Sequence, residues 1–295
     1  MVSLKGQEQS VREDRVMQVQ WYPGHMTKAK RMMQEDIKLI DLVIELLDAR
    51  APLASRNPDI DELAKGKSRL VLLNKSDLSD PAANDKWLAY FRDKGLVTLL
   101  LDSKNRKGFA PIYKAVEEAC SAKIERDRKR GIIGRPVRSM VVGIPNVGKS
   151  TFINSLCKKA STKTGNKPGV TKGKQWIRLD KNVELLDTPG ILWPRFENDT
   201  IGTNLAFIGS INDEILDGTE LALKLIEVLK FTYPGVITAR YDISEDEGSV
   251  AILEGIANKR GCLKKGSEPD HDKAARIVLD EFRAGKLGKI TLEMP

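Results

Sequence analysis

Residues 143–150, GIPNVGKS, place glycine, lysine and serine at a spacing that suits phosphate binding. The stretch follows an apolar run and precedes a segment with helical spacing, which is the context that a phosphate loop requires. Gly143 and Gly148 let the backbone curl so that its N–H groups point at phosphate oxygens, and the following helix adds the positive end of its dipole. A glycine turn with a surface lysine is the structural alternative. The residues expected to contact the nucleotide are Asn146, Val147, Gly148, Lys149, Ser150 and Thr151.

Two later segments supply the remaining groups of a nucleoside triphosphate site. DTPG at 187–190 follows an apolar run, so Asp187 would hold the shell of a Mg²⁺ ion through water and the N–H of Gly190 would meet the γ-phosphate. Thr171, in PGVTKG, is expected to contact both Mg²⁺ and the γ-phosphate. The expected Mg²⁺ ligands are therefore Ser150, Thr171 and Asp187. Lys149 and Thr171 are also expected to take part in catalysis.

NKSD at 74–77 ends the apolar run RLVLL and can read a guanine base. The carboxylate of Asp77 can accept hydrogen bonds from the N1–H and N2–H₂ groups of guanine, and adenine offers no such pair of donors. Losing two charge-assisted hydrogen bonds would cost roughly 10²- to 10⁴-fold in affinity. An ordinary strand-to-helix turn capped by Asp77 and Ser79 is the alternative. The expected base-site residues are Asn74, Lys75, Ser76 and Asp77, with Asp102, Ser103 and Lys104 from LLDSKNRKG closing the site.

Strands and helices alternate around these motifs, which favours a doubly wound α/β sheet. Strands are predicted at 41–50, 69–74, 96–102 and 137–143, and a hairpin at 174–179 and 183–187; helices are predicted at 27–40, 79–95, 109–131 and from the phosphate loop to about residue 159. Asp80 is expected to cap the second helix, with Pro81 at its first position and Gly95 as its stop. From about residue 196 the spacing is helical, so we predict one domain over 1–196 and a smaller, all-helical domain over 197–295.

Composition excludes several classes of protein. Hydrophobic residues make up 41% of the 295 residues and charged residues 31%, and no apolar run approaches the roughly 18 residues of a membrane span. The first 18 residues have no apolar stretch, which argues against a secretory signal or a transit peptide. The three cysteines are widely spaced, which argues against a disulfide framework or a zinc knuckle and favours a reducing compartment.

The net charge of +8 is unevenly distributed. Residues 1–204 contain 37 Lys and Arg against 25 Asp and Glu, whereas the remainder contains 12 against 16. A basic half that also holds the nucleotide motifs suggests a polyanionic partner, although a lysine-rich solvated surface would look the same. The basic clusters are Lys28/Lys30/Arg31, Arg126/Arg128/Lys129/Arg130 with Arg135 and Arg138, Lys158 to Lys174, and Lys259/Arg260/Lys264/Lys265.

The base-reading motif precedes the phosphate loop, which reverses the order of an ordinary Ras-like domain. In this order the chain resembles the circularly permuted GTPases, and within them it closely resembles the ribosome biogenesis GTPase A family. The residues that carry the resemblance are WYPGHMTKAKR, ELLDARAPLASRNP, LVLLNKSDL, GIPNVGKSTFIN, TGNKPGVTKGKQW, LLDTPGILWP and KRGC. The resemblance spans essentially the whole chain and implies a permuted Ras-like P-loop GTPase domain followed by a smaller all-helical domain.

The resemblance also implies an activity, hydrolysis of GTP to GDP and phosphate. Ile191 stands where many GTPases have a glutamine that orients water, so intrinsic hydrolysis should be slow and should await a partner. His25, in WYPGHM, is the candidate to position that water, with packing beside Trp21 and Tyr22 as the alternative. Asn146 is expected to hold an activating K⁺, as it does in cation-activated GTPases with the same loop.

The family further implies a partner, the large ribosomal subunit and its ribosomal RNA, at a late assembly step. The expectation is a cytoplasmic, monomeric assembly factor that does not bind membranes and is stimulated by the ribosomal particle. The alternative is a nucleotide-gated RNA-binding scaffold in which hydrolysis is incidental. A P-loop ATPase or a small-molecule kinase is a third interpretation, and NKSD argues against it because this motif suits guanine.

Overall fold

A computed structural model describes Arg31 and residues 33–160, 176–179, 181–186, 199–211 and 217–295, with side chains 158–160 excepted. Within these ranges, six strands form one sheet: β1 Leu42–Asp48, β2 Ser68–Asn74, β3 Val97–Leu100, β4 Val137–Val142, β5 Trp176–Arg178 and β6 Val183–Leu186. Their spatial order is β3-β2-β1-β4-β6-β5. All neighbouring strands are parallel except β5, which pairs antiparallel with β6. The predicted hairpin at 174–187 is confirmed.

The strand order explains how a permuted chain keeps a Ras-like sheet. The phosphate-loop strand β4 lies between β1 and β6, although β1, β2 and β3 come earlier in the chain. Asp48 at the end of β1 lies opposite Asn74 at the end of β2. On the other side of β1, Glu45 lies opposite Val142 at the end of β4. The carboxyl ends of these three strands therefore share one sheet edge, where α/β folds bind ligands.

Helices cover both faces of the sheet. In the first half of the chain they are α1 Ile60–Leu63, α2 Pro81–Asp93, α3 Ile112–Ala119, α4 Ser121–Lys129 and α5 Lys149–Ala160. The predicted start of α2 is confirmed, since Asp80 Oδ1 accepts from the N–H of Ala82. Trp87 and Phe91 of this helix are fully buried and pack on the sheet.

The single helix predicted over 109–131 is wrong. The chain breaks at Cys120, where φ is −100° and ψ is 9°, and two helices result. Helix α3 packs apolar residues on the sheet, whereas α4 buries none of its residues. Lys123 pairs with both Asp41 and Asp127, which fixes α4 by charge instead of by apolar packing.

As predicted, the regular elements among the described residues from 199 onward are helices, and β pairing there is limited to an isolated bridge between Leu263 and Pro269. The helices are α6 Asp199–Phe207, α7 Gly218–Thr232, α8 Val236–Tyr241, α9 Ser249–Lys259 and α10 His271–Arg283. Sequence analysis did not identify α8 and α9. The acidic loop before α9 has a structural role, because the Glu245 carboxylate accepts from the N–H groups of Gly235, Ile237 and Thr238 at the start of α8. No helix in the described ranges is long and apolar enough to cross a bilayer.

The last residues of the chain return to the first half. The N–H of Ile290 donates to Leu78 O over 3.1 Å, and the N–H of Leu292 donates to Arg50 O over 2.7 Å. Trp87 Nε1 donates to the carbonyl of Glu293 over 3.1 Å. The end of the helical region is thus hydrogen-bonded to the turn after β1, to α2 and to the loop after NKSD.

Candidate nucleotide site

The base-reading motif begins on the last residue of β2 and continues into the loop. Asn74 is buried, whereas Lys75, Ser76 and Asp77 are partly exposed. Lys75 has a φ of 59°, in the left-handed region, so the chain turns sharply at this residue. Both the N–H and the hydroxyl of Ser76 donate to Leu101 O, which fixes the loop against the end of β3. Ser76 thus holds the loop in place, and the partly exposed Asp77 follows it directly.

Asn74 joins three of the segments that were assigned to the nucleotide from the sequence: NKSD, the phosphate loop and the turn after β3. Its Nδ2 donates to Val147 O of the phosphate loop over 2.7 Å. Its Oδ1 accepts from the N–H of Ser103 over 3.1 Å. Because the amide is buried and forms hydrogen bonds through both its nitrogen and its oxygen, it fixes the spacing between the base site and the phosphate site. The side chain of Asn74 therefore braces the phosphate loop against the end of β2.

The segment after β3 closes the same side of the site. Asp102 is buried, and its two carboxylate oxygens accept from the backbone and side chain of Asn105. Asp102 therefore contributes to the site by shaping the turn that carries Ser103 and Lys104. Ser103 Oγ is buried and has no hydrogen-bond partner among the described residues, whereas Lys104 is exposed. An unpartnered buried hydroxyl at this point is consistent with a polar ligand beside it.

The phosphate loop has the backbone geometry that its glycine predicts. Gly148 has a φ of +97°, and a Cβ there would lie 2.5 Å from Asn74 Nδ2. Helix α5 begins at Lys149, and the N–H of Phe152 donates to Gly148 O. Ser150 and Thr151 are exposed on the first turn of the helix. The loop therefore presents a helix N-terminus, a lysine and hydroxyls at the carboxyl edge of the sheet, as an anion site requires.

Asn146 makes a contact that the sequence did not indicate. It has a φ of 62°, and its Nδ2 donates to the carbonyl of Gly209 over 2.7 Å. Gly209 lies just beyond α6. The phosphate loop is therefore linked directly to the helical region through a residue expected to bind the nucleotide.

Two charged residues at the end of β1 were missed as site residues. Asp48 and Arg50 are both buried, and Asp48 Oδ2 lies 2.9 Å from Lys75 Nζ. Burial alone would raise the pKa of Asp48, but the positive charges of Arg50 and Lys75 outweigh it and hold the pKa well below the usual range. The available signal was a D-x-R pair that begins on the last of seven buried strand residues, where a charge is costly without a partner.

Several predicted site residues lie outside the described part of the chain: His25, Thr171, Asp187 and Gly190, and with them Ile191. Ser150 is the one expected Mg²⁺ ligand within it. Hydroxyl and carboxylate oxygens are the donors that Mg²⁺ prefers, and Ser150 lies on the first turn after a loop whose Gly148 leaves no room for a Cβ. The donor set and the loop therefore fit a magnesium–nucleotide complex.

Comparisons with known proteins agree with this geometry. Residues 138–239 match the family described as 50S ribosome-binding GTPase. Ribosome biogenesis GTPase A of Bacillus cereus is 46% identical over 280 residues, covering 95% of each chain. The protein of the same name from Thermotoga maritima is 33% identical over 275 residues, covering 93% of this chain and 94% of the relative. The crystal structure of GNP-bound YlqF from T. maritima superposes with a TM-score of 0.66 at 29% identity, covering 91% of this chain and 98% of that one.

Proposed function

Because the chain belongs to the ribosome biogenesis GTPase A family, and is a GTP-hydrolysing enzyme, we propose that it acts on the large ribosomal subunit at a late assembly step. Hydrolysis is stimulated by the ribosomal particle and releases the factor. The observation that carries the nucleotide part is the hydrogen bond from Asn74 to Val147, which joins the base motif to the phosphate loop. The cytoplasm is the proposed compartment and the monomer the proposed form.

In the proposed complex, Asp77 accepts from the guanine edge and the stem of Lys75 lies along the purine face. The backbone N–H groups of residues 146–151 and the ammonium of Lys149 surround the phosphates. Ser150, Thr171 and Asp187 would hold Mg²⁺, which supplies charge neutralisation at the phosphates. Gly190 and Thr171 would sense the γ-phosphate.

The hydrolytic step needs a group that orients water. Ile191 has only hydrocarbon and cannot do so by hydrogen bonding. We assign this role to His25, whose imidazole can both donate and accept near neutral pH. Partner binding would bring His25 into place, which accounts for slow turnover by the isolated protein. Asn146 Oδ1 is the atom proposed to hold an activating K⁺ near the β- and γ-phosphates.

The best-supported contact with ribosomal RNA is the basic segment formed by residues 121–135. It comprises α4, which buries nothing, and the loop that leads into β4. Every residue from Arg128 to Arg135 is exposed, including two arginines and a lysine in succession at 128–130. This segment leads into the amino end of β4, whereas the phosphate loop follows the carboxyl end of the same strand. RNA bound to the segment would therefore leave the nucleotide site open.

The basic stretch of the helical region lies in the acidic part of the chain, since residues 205–295 contain 12 Lys and Arg against 16 Asp and Glu. Lys259 pairs with Asp242 over 2.7 Å, and Arg260 pairs with Glu281 over 3.4 Å. Lys264 and Lys265 are exposed. Arg128→Ala with Arg130→Ala should therefore weaken subunit binding and lower its salt dependence more than Lys264→Ala with Lys265→Ala, because each lost phosphate contact reduces the salt slope by about one.

The decisive experiment measures GTP hydrolysis with purified large or small ribosomal subunits under single-turnover conditions. We expect acceleration by the large subunit only, and partner activation of GTPases reaches about 10³–10⁵-fold. Binding to the large subunit without acceleration would favour the scaffold. Equal acceleration by both subunits would contradict the assignment to the large one.

A further inference from the structure

A buried chain of charged groups connects the base motif to the C-terminal helices. Asp48 Oδ2 lies 2.9 Å from Lys75 Nζ and 2.9 Å from Arg50 Nη2. Asp48 Oδ1 accepts from Arg50 Nε over 3.0 Å and from the Arg50 N–H over 3.1 Å. The side chains of Asp48 and Arg50 are 0% and 2% exposed, so both charges are almost fully removed from water. The carboxylate is thus saturated by one arginine and by the lysine of NKSD.

Arg50 also contacts the end of α10. Its Nη1 donates to Arg283 O over 3.3 Å, and its guanidinium lies 5.5 Å from the ring centre of Phe282. Its carbonyl accepts from the N–H of Leu292 over 2.7 Å. The guanidinium is therefore shared between Asp48 of the sheet and the last helix.

Arg283 extends the connection to the end of α6. Its Nε donates to Phe207 O over 3.1 Å and its Nη2 donates to Ala206 O over 2.8 Å. Two residues further along, the carbonyl of Gly209 accepts from Asn146. The chain of contacts therefore begins at the base motif and reaches the phosphate loop through the helical region.

A buried ion pair of this kind is poor evidence for stability, since well-packed apolar residues are often as stable. Its consequence here is geometric. Lys75 has a left-handed backbone and a partly exposed side chain, which would sample many rotamers in water. The fixed carboxylate of Asp48 selects the rotamers that bring the ammonium to 2.9 Å, and so directs the lysine stem.

We propose that Asp48 is a positioning residue for guanine recognition, and that Arg50 makes this positioning depend on the docking of α10 and residues 290–293. The proposal rests on the proposed nucleotide site. Asp48 acts through Lys75 and need not touch the nucleotide. Disturbing the C-terminal helices would lower the affinity for the guanine base more than the affinity for the phosphates.

The test compares the affinity of Asp48→Asn for GDP with its affinity for inorganic tripolyphosphate, which has no base. We expect GDP to bind roughly tenfold to a hundredfold more weakly, the range for a lost charge-assisted hydrogen bond. Tripolyphosphate affinity should be unchanged. Equal losses for both ligands, or no loss for either, would overturn the proposal. If the unsubstituted protein failed to bind GDP, the nucleotide site itself would be wrong.

Glu45→Gln is the matched control. Glu45 lies on the same strand as Asp48, its side chain is 2% exposed and its carboxylate pairs with Arg56 and Arg69, so the variant also disrupts a buried ion pair but not the connection between Lys75 and α10. We expect it to lower thermal stability while leaving both affinities unchanged. A GDP-specific loss in this control as well would show that the effect is general and would contradict the role of Asp48.

A double-mutant cycle tests whether Asp48 acts through Lys75. In a Lys75→Met background, Asp48→Asn should cause little further loss of GDP affinity, because the contact is already absent. Additive losses would overturn the proposal. If Asp48→Asn does not fold, Arg50→Lys decides, because it keeps the buried charge but cannot reach both Asp48 and Arg283 O. It should weaken GDP severalfold and speed hydrogen exchange at Leu292, and GDP affinity equal to that of the unsubstituted protein would refute the connection.

Discussion

The side-chain amide of Asn74 donates to the carbonyl of Val147 over 2.7 Å, although the two residues are 73 positions apart in the chain. This contact brings the end of β2 against the phosphate loop that follows β4. It accounts for how a chain that presents its base-reading motif first can still form one site. The neighbours of each strand in the sheet, and not the order of the motifs along the chain, determine which groups meet.

Substitution of Gly148 tests the close approach that this contact requires. Gly148→Ala places a Cβ 2.5 Å from Asn74 Nδ2 at a φ of +97°, whereas Gly66→Ala has a φ of +78° and nothing within 4 Å. Both variants should lose about 1–2 kcal/mol of unfolding free energy through backbone strain. Only Gly148→Ala should also lose GDP affinity, as measured by titration. Equal GDP affinities in the two variants would show that the loop tolerates the added carbon.

The pH dependence of stability tests the buried charge of Asp48. The native pKa lies below the usual value of 3.8, so the unfolded chain binds more protons than the native chain in acid. This stabilisation is fully present above about pH 5 and is lost as the pH falls through 3.8 toward the native pKa.

Asp48→Asn should cost about 3–5 kcal/mol near neutral pH, because Arg50 and Lys75 lose their partner. The difference from the unsubstituted protein should shrink in urea unfolding curves recorded at successively lower pH. A difference that stays constant down to pH 3 would mean that Asp48 has an ordinary pKa in the folded protein.

His25→Ala tests the proposed water-orienting group. We expect GTP affinity to stay the same and hydrolysis stimulated by the large subunit to fall about 10²–10⁴-fold, which is the usual contribution of a general acid or base. Hydrolysis by the isolated protein should change little. His271→Ala is a suitable control, because His271 lies on α10 and contacts Glu254. Unchanged stimulated turnover in His25→Ala would remove this residue from the mechanism.

Cation dependence tests the proposed role of Asn146. Rates of hydrolysis in K⁺ should exceed those in Na⁺ at equal ionic strength, and Asn146→Ala should remove the difference. Because this variant also loses the donation to the carbonyl of Gly209, Asn146→Asp is measured beside it: it loses the same donor but keeps an Oδ1, so it should still hydrolyse GTP faster in K⁺ than in Na⁺. Equal rates in the two salts for the unsubstituted protein would exclude the proposed site.

Local signals predicted most of the sheet and the start of α2. Asp80, Pro81 and Gly95 each favour a helix boundary through their own local preferences. The ends of α2 can therefore be predicted from the sequence alone. The break at Cys120 carries no glycine or proline, and the helix after it pairs through Lys123 with Asp41 from a distant segment. Local periodicity cannot reveal such a pairing.

The candidate site divides along the same line. The residues of NKSD and of the phosphate loop follow from their chemistry and spacing. The contacts of Asn146 with Gly209 and of Asp48 with Lys75 join segments 63 and 27 residues apart, respectively, and are formed only when the fold is complete. The groups proposed to contact the nucleotide came from the sequence, whereas these two contacts were not predicted from it.

The central claim is that NKSD and the phosphate loop serve one nucleotide. The most direct measurement is the nucleotide preference of Asp77→Asn, compared between GTP and xanthosine triphosphate, whose base has a carbonyl in place of the guanine amino group. The new amide can donate to that carbonyl, so GTP affinity should fall about 10²–10⁴-fold while xanthosine triphosphate binds and is hydrolysed in a reaction that still requires Lys149. Unchanged GTP affinity in Asp77→Asn would show that the base lies elsewhere and would contradict the claim.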